Sequence, residues 1–191
     1  MPAGYNLQLV SAAAGDVAAD AGGRRGDRGR QRHRRRRGAS VLAGTLLDRG
    51  FGDVTVLDIS PAAINYARDQ LGPRAAAVHW LTEDLLTWQP ARTWRVWHDR
   101  AVYHFLTAAA DQDQYRQARE AATQPGSVAV LGCFAPNGPP SCSGLPVARY
   151  SAAELAARLD GWTLISPARE DHRAPAGIVQ PFTWAALRKR P

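Results

Sequence analysis

The chain has only two cysteines, a single lysine and no apolar run of membrane-spanning length. Cys133 and Cys142 form no CxxC pattern and have no nearby histidine pair, which argues against a disulfide framework and against a structural zinc or other metal site. The longest apolar run, Val128 to Ala135, has the length of a strand rather than the roughly 20 residues of a membrane helix. The N-terminus lacks the apolar core of a signal peptide, so we expect a cytoplasmic protein without membrane partners.

The positive charge is concentrated at one end. The formal net charge is +7, yet residues 1–37 alone contain nine arginines against three aspartates, and residues 34–37 are four consecutive arginines. Residues 38–191 are close to neutral. The first 37 residues also lack apolar periodicity, so we predict a disordered or mistranslated basic arm at 1–37 and one domain at 38–191. A basic arm can neutralise phosphates, which keeps a nucleic-acid-binding protein as a less favoured alternative.

Strand-like and helix-like segments alternate from Gly38 onward. Asp53–Asp58 is an apolar strand, and the helix after it begins with Ser60 as N-cap and ends at Gly72. Ser151 and Glu154 form a capping box. The other predicted elements are helices over 41–48, 111–122 and 151–159, an element over 76–81, and strands over 94–99, 128–134, 162–165 and 181–187. This alternation predicts an α/β fold, a three-layer α/β/α sandwich around an open, mostly parallel sheet.

Four segments of the body, in this order, resemble the class I S-adenosylmethionine-dependent methyltransferases. They are Val-Thr-Val-Leu-Asp58-Ile-Ser-Pro, Thr-Glu-Asp84-Leu-Leu, Trp-His-Asp99-Arg-Ala-Val-Tyr-His104-Phe-Leu, and Pro125-Gly126-Ser. The resemblance covers residue 38 to the end of the chain. It implies a Rossmann-like methyltransferase sheet, S-adenosyl-L-methionine as cofactor, and methylation of a small molecule or a protein side chain.

The resemblance also implies a cofactor site at the carboxyl edge of the sheet. Asp58 would accept the ribose hydroxyls, since an acid at the end of the second strand lies at that edge. Asp84 would bind the adenine amino group, and Asp99 would lie beside the transferable methyl. The implied cofactor-binding residues are Gly38, Asp58, Ile59, Asp84, Leu85 and Asp99. Each acid also has a structural interpretation: a capping acid for Asp58, a helix-start acid for Asp84 and a salt-bridge partner for Asp99.

The family binds its acceptor through the segments after the fourth and fifth strands. The substrate-binding candidates there are Arg100, Tyr103, Cys142, Arg149 and, from a polar stretch over 170–177, His172. Cys142 and Arg149 lie in a sixteen-residue loop over 135–150, long enough to form a lid. The Asn-Pro-Pro-Tyr type of motif found in amino-methylating enzymes of nucleic acids is absent. This absence favours a small-molecule or protein acceptor over DNA or RNA.

His104 and Asp99 are the catalytic candidates. A neutral imidazole at His104 can take a proton from a nucleophile near pH 7. The equally weighted alternative is a histidine packed beside Phe105. Cys142 is better explained by packing than by nucleophilic catalysis, because methyl transfer in this family is direct.

The family's first motif, a strand followed by Asp-x-Gly-x-Gly, is missing from the expected place before the helix at Val41. Shifted by one nucleotide, codons for Arg32–Arg37 can encode Asp-Ile-Gly-Gly-Gly-Ala, and those for residues 8–22 can encode SWFQPPPETSLRMLE. We therefore hypothesise that the residues up to about 37 are a frameshifted translation and that the chain as written lacks a proper first strand. A non-catalytic methyltransferase remnant is the alternative.

Overall fold

The structure is a computed structural model that describes residues 6–10, 39–174 and 177–191. The described strands are β1 (Asn6–Val10), β2 (Val54–Asp58), β3 (Val78–Thr82), β4 (Trp94–Arg100), β5 (Thr123–Phe134), β6 (Ser141–Cys142), β7 (Leu145–Pro146), β8 (Trp162–Arg173) and β9 (Val179–Lys189). The described α-helices are α1 (Ala39–Asp48), α2 (Pro61–Leu71), α3 (Ala109–Ala121) and α4 (Ala152–Ala157). Short 3₁₀ turns follow α2 at Gly72–Ala77 and β4 at Tyr103–Phe105.

The predicted helix boundaries with explicit capping residues are confirmed. The Ser60 hydroxyl accepts a hydrogen bond from the backbone N–H of Ala63, and Pro61 occupies the first turn of α2. Gly72 ends that helix with φ of 58°, a conformation that favours glycine. At α4, Ser151 and Glu154 each cap the other's backbone N–H, which is the predicted capping box.

The large sheet has seven strands in the order β3-β2-β1-β4-β5-β9-β8. Only β2–β3 and β4–β5 pair in parallel, whereas β1 and the β8–β9 hairpin pair antiparallel to their neighbours. The sheet is therefore mixed, and the expectation of a mostly parallel sheet is wrong in this respect. The carboxyl ends of β2, β3 and β4 still meet at one edge, which we call the carboxyl edge.

The central position of the sheet is occupied by β1. Leu7 lies opposite Leu57 on one side and Asp99 on the other, and the strand runs antiparallel to both neighbours. The prediction of little ordered structure in residues 1–37 is therefore wrong for residues 6–10, while residues 1–5 and 11–38 lie outside the described residues. Without a strand here, β2 and β4 would expose unpaired backbone groups, and the alternating Asn-Leu-Gln-Leu-Val segment suits this position.

Helices cover both faces of the sheet, which confirms the three-layer α/β/α prediction. On one face, α1 and α2 pack against β2 and β3 through Ala43, Val54, Val56, Ile64, Ala67, Leu71 and Val78. On the other face, α3 and α4 pack through a larger cluster that includes Trp97, Tyr115, Leu131, Leu155 and Leu187. Trp97 and Tyr115 are fully buried.

The β8–β9 hairpin is longer than the sequence predicts. The stretch expected to be a polar loop over 170–177 contributes Glu170, Asp171, His172 and Arg173 to β8, where they pair with β9. A register shift between Leu164 and Ser166 lies at the point where the predicted strand ended. The loss of apolar alternation beyond this irregularity concealed the rest of the strand, because β8 is an edge strand with an exposed side.

None of the helices formed by the described residues is long and apolar enough to cross a membrane.

The position of β1 can be tested by proline substitution. Gln8 lies between Val56 and His98, so Gln8→Pro removes a backbone N–H from a strand paired on both sides. We expect the free energy of unfolding to fall by about 2 kcal/mol, measured by urea denaturation, because a neighbouring strand loses a hydrogen-bond donor. Gln8→Ala keeps the N–H and serves as the control, with a loss below about 1 kcal/mol. Equal stability of the two variants would contradict the described pairing of β1.

Candidate active site

A cavity of about 170 Å³ opens at the carboxyl edge of the sheet. Its wall is built from three segments at the carboxyl ends of strands. They are the end of β2 with Ile59, the loop after β3 and the loop after β4. The lining residues are Leu57, Asp58, Ile59, Glu83, Asp84, Leu85, Leu86, Val102, Phe105 and Leu106. The cavity therefore combines an apolar wall with three carboxyl groups.

Asp58 is the most unusual carboxyl group in this wall. It is 2% exposed, and its Oδ1 accepts a hydrogen bond of 2.7 Å from the backbone N–H of Ser60. The buried Oδ2 has no hydrogen-bond partner among the described residues. Burial raises the pKa of Asp58 to about 6, although the Ser60 N–H opposes this rise. A buried oxygen without a protein donor, in a residue that lines a cavity, is a candidate acceptor for a hydrogen bond from a ligand.

The other predicted cofactor residues lie around Asp58. Ile59 lies between the end of β2 and the N-cap Ser60. It has 63% of its surface exposed and lines the cavity. Asp84 lines the cavity after the neighbouring strand β3, and its Oδ1 accepts a hydrogen bond of 3.0 Å from the N–H of Leu86. Leu85 is buried and also lines the cavity. Gly38 lies outside the described residues, so its assignment stays a prediction.

The geometry of Asp99 differs from the one predicted. This residue is fully buried, does not line the cavity, and has both oxygens occupied. Oδ1 accepts from the N–H of Val102 at 2.8 Å, and Oδ2 accepts from the N–H of Tyr103 at 3.0 Å and from the hydroxyl of Tyr115 at 2.7 Å. The described contacts therefore favour a structural role over the predicted contact with a methyl group or cofactor. The alternative interpretation was a salt bridge, but these three partners of Asp99 are uncharged.

His104 packs beside Phe105, as the alternative to the general-base prediction proposed. The side chain is fully buried, with its ring in edge contact with Phe105 and Phe134, at centroid distances of 4.4 and 4.9 Å. Burial lowers its pKa to about 4, so the imidazole is neutral at pH 7. Its Nδ1 accepts a 3.4 Å hydrogen bond from the backbone N–H of Phe134. A group without solvent or cavity access cannot exchange a proton with an acceptor, so this position does not suit the predicted general base.

Arg100 and His172 are brought together at the carboxyl edge, although they are 72 residues apart. The Arg100 Nη2 lies 3.3 Å from the His172 Nδ1, and its guanidinium lies over the ring of Phe182 at 5.1 Å. His172 belongs to β8 rather than to a loop. Neither residue lines the cavity, so their assignment to substrate binding stays a prediction.

The loop over 135–150 is more ordered than a flexible lid. β6 and β7 form a small hairpin whose turn residues, Ser143 and Gly144, have φ of 51° and 83°. Arg149 donates to the backbone oxygen of Gly138 at 3.1 Å, which ties the two ends of the loop together. Cys142 is partly buried against the aromatic cluster of Phe134 and Phe182, in agreement with a packing role.

Tyr103, the remaining substrate candidate, is 2% exposed and packs between the rings of Tyr115 and Tyr150. The cavity wall instead uses its neighbours Val102, Phe105 and Leu106. Sequence reasoning missed these three apolar residues because only the polar side chains of the segment were considered. The available signal was the i, i+3 spacing of Val102 and Phe105, which puts both side chains on one side of a 3₁₀-type turn. In the described ranges, no group of three His, Cys, Asp or Glu side chains is arranged to hold a metal ion.

The burial of Asp58 predicts a stability cost that a neutral residue removes. Its pKa rises from 3.8 to about 6 on folding, so ionisation above pH 6 opposes folding by roughly 3 kcal/mol at most. Asp58→Asn keeps the acceptor for Ser60 but carries no charge. We expect it to raise the free energy of unfolding at pH 7 by about 1–2 kcal/mol, since a buried amide still has a desolvation cost.

This gain should vanish at pH 4, because the folded wild type is then protonated at Asp58. Urea denaturation at the two pH values provides the measurement. Asp53→Asn is the control: Asp53 makes a bidentate ion pair with Arg92, so its neutralisation should leave stability unchanged or lower it by less than about 1 kcal/mol. A loss of stability in Asp58→Asn at pH 7 would contradict the described burial.

The burial of His104 predicts an acid-sensitive fold. The unfolded chain takes up a proton near pH 6.5, whereas the folded chain does so only near pH 4. The stability due to neutral His104 is complete above pH 6.5 and is lost as the pH falls towards 4, by about 2 kcal/mol between pH 7.5 and 5. His104→Gln does not titrate, so the pH dependence of its unfolding free energy should be smaller by this amount. Ser127→Ala, which removes a buried group that does not titrate, is the control and should keep the wild-type pH dependence.

Comparisons with known proteins identify the fold. No protein-family model matches the chain, and no curated protein does. Solved structures do match. The N-methyltransferase NodS from Bradyrhizobium japonicum WM9 is 16% identical, with 72% of this chain and 73% of NodS covered and a TM-score of 0.58.

Two further structures give the same result. The S-adenosylmethionine-dependent methyltransferase from Methanosarcina mazei is 12% identical, with 78% of this chain and 86% of that protein covered and a TM-score of 0.63. The 1,6-didemethyltoxoflavin-N1-methyltransferase of Burkholderia thailandensis is 17% identical, with coverage of 78% and 66% and a TM-score of 0.61. At these identities the likeness is one of fold. The chain therefore has the class I S-adenosylmethionine-dependent methyltransferase fold that its sequence resembles.

Proposed function

We propose that this chain is an S-adenosylmethionine-dependent methyltransferase that acts on a small molecule. The observation that carries the proposal is the Oδ2 of Asp58, which is buried at a cavity wall without a hydrogen-bond partner among the described residues. A ribose diol supplies the donor that this oxygen lacks. Asp58 therefore fits the cofactor on chemical grounds as well as by its place at the carboxyl edge.

The remaining wall fits the other parts of the cofactor. Asp84 offers a carboxylate to an amino group such as that of adenine, and the side chains of Ile59 and Leu85 offer apolar surface to a flat ring. When bound, S-adenosylmethionine supplies a methyl group on a positively charged sulfur. The three acids of the wall, Asp58, Glu83 and Asp84, give the cavity a negative field that favours a cation.

The wall on the β4 side offers apolar surface both to the cofactor and to an apolar acceptor. Val102, Phe105 and Leu106 line this side, and all three are uncharged. By their names, NodS and the Burkholderia thailandensis enzyme are N-methyltransferases, and the latter was solved with bound 1,6-didemethyltoxoflavin and S-adenosylhomocysteine. Together these observations favour a small, flat acceptor over a protein side chain.

The reaction we propose depends on positioning rather than on proton transfer by the chain. Among the described residues that line the cavity there is no histidine, lysine or cysteine. The titratable side chains of this lining are the carboxyl groups of Asp58, Glu83 and Asp84, and an acceptor nitrogen, oxygen or sulfur that arrives with an available lone pair needs no proton transfer to them. Holding it in line with the sulfur–methyl bond removes the entropic part of the barrier, which is the main contribution available to this site.

The glycine turn decides whether the chain as written performs this reaction. The segment 32–37, where the family carries that turn, lies outside the described residues and contains five arginines. A turn that needs glycine for close backbone approach does not accommodate residues with long side chains. A non-catalytic remnant is therefore the second candidate for the chain as written, supported by this sequence observation.

Replacing residues 32–37 by Asp-Ile-Gly-Gly-Gly-Ala tests both candidates, and we call this variant the repaired chain. We expect thermal melts of the repaired chain to show a rise in melting temperature with S-adenosylmethionine, because a glycine turn permits close approach of the backbone to the cofactor. The chain as written should show little or no rise with the cofactor. An equal ligand-dependent rise in both forms would contradict the frameshift hypothesis.

Asp58→Asn in the repaired chain separates cofactor recognition from folding. Loss of a charge-assisted hydrogen bond should weaken binding of S-adenosylhomocysteine by about 2 kcal/mol, measured by calorimetry, although the ligand-free protein becomes more stable. Failure of the repaired chain to bind at all would overturn the proposed function.

A further inference from the structure

Two backbone N–H groups of the segment Arg100–Leu106 bind one buried carboxylate, that of Asp99. The Asp99 side chain receives hydrogen bonds from the N–H groups of Val102 and Tyr103, immediately before the residues that turn towards the cavity. Val102, Phe105 and Leu106 form the β4 side of that cavity. The carboxylate therefore connects the end of β4 to a wall that it does not itself touch.

A strained residue lies between the carboxylate and the wall. Ala101 has φ of 66°, a left-handed conformation that is unfavourable for a residue with a Cβ. Its own N–H donates to the backbone oxygen of Gly132 at 2.8 Å. This conformation turns the next two N–H groups back towards Asp99. The strain persists only because the hydrogen bonds around it over-determine the turn.

The Tyr115 hydroxyl is the third donor to Asp99, and its orientation is fixed as well. The indole N–H of Trp97 can only donate, and it lies 2.9 Å from the hydroxyl oxygen of Tyr115. The tyrosine hydroxyl must therefore direct its own proton to the Oδ2 of Asp99, 2.7 Å away. All three side chains are fully buried. The result is a directed series of bonds from indole to hydroxyl to carboxylate, with the two backbone N–H groups donating to that carboxylate.

We propose that Asp99 is a positioning residue for cofactor binding: together with Tyr115 it holds Arg100–Leu106 in the conformation that forms the β4 wall of the cavity. This inference rests on the proposed function. It assigns to Asp99 an effect on affinity through the segment, without contact with cofactor or acceptor.

Two variants weaken the arrangement to different extents. Tyr115→Phe removes one donor and leaves both backbone bonds. Asp99→Asn is more disruptive, because both oxygens of Asp99 accept hydrogen bonds. Whichever way the amide is turned, its NH₂ faces another donor. The matched control is Ser127→Ala, which also removes one buried hydroxyl; that hydroxyl bonds to the Trp94 carbonyl at the opposite edge of the sheet.

Two measurements follow. Hydrogen exchange of the full chain as written should show the amides of Val102 and Tyr103 exchanging about tenfold faster in Tyr115→Phe, and faster still in Asp99→Asn, with no change in Ser127→Ala. Calorimetry on the repaired chain should show S-adenosylhomocysteine binding about tenfold weaker in Tyr115→Phe, with the affinity of Ser127→Ala unchanged even where its melting temperature falls.

The outcomes are distinguishable. Unchanged exchange in the 100–106 segment, or equal affinity in Tyr115→Phe and Ser127→Ala, would overturn the positioning role. A loss of affinity that follows the melting temperature equally in all three variants would also overturn it, since a purely structural role predicts that result. If the unaltered repaired chain fails to bind, the proposed function fails, and the exchange measurement alone then decides whether the carboxylate holds the segment.

Discussion

The pairing of β1 with strands on both of its sides is the interaction on which the cavity depends. β2 and β4 do not pair with each other, so β1 links the β3–β2 pair to the β4–β5–β9–β8 group. The two groups supply opposite walls of the cavity, with Asp58 on one and Leu106 on the other. Their separation is therefore set by the width of one strand, through backbone hydrogen bonds that do not depend on the identity of the β1 side chains.

Local signals in the sequence predicted those parts of the structure that depend on local physics. The N-cap Ser60, the stop at Gly72 and the Ser151–Glu154 capping box concern groups within a few residues of one another, and the structure contains all three. The exposed Ile59 and buried Asp58 follow from the same strand-to-helix turn. Interactions over this range can be read from residue order alone.

Features that depend on distant contacts were beyond such reasoning. The burial of His104 is completed by Phe134 and Phe182, from strands 30 or more residues later in the chain, and no pattern around position 104 records that. The direction of β1 could not be predicted either. Its alternation of polar and apolar residues is the same whether the strand pairs parallel or antiparallel with its neighbours. Asp58 and Asp99 illustrate the limit most clearly: both are buried acids at strand ends, with pKa values raised to about 6, yet only Asp58 keeps an oxygen for a ligand.

The exposure of Ile59 has a thermodynamic consequence. An isoleucine with 63% of its surface in water, beside a largely apolar cavity, orders water that any occupant of the cavity must displace. Displacement of this water lowers the heat capacity of the complex below that of the separate partners. The enthalpy of association at this site therefore becomes more favourable as the temperature rises, even when the affinity itself changes little.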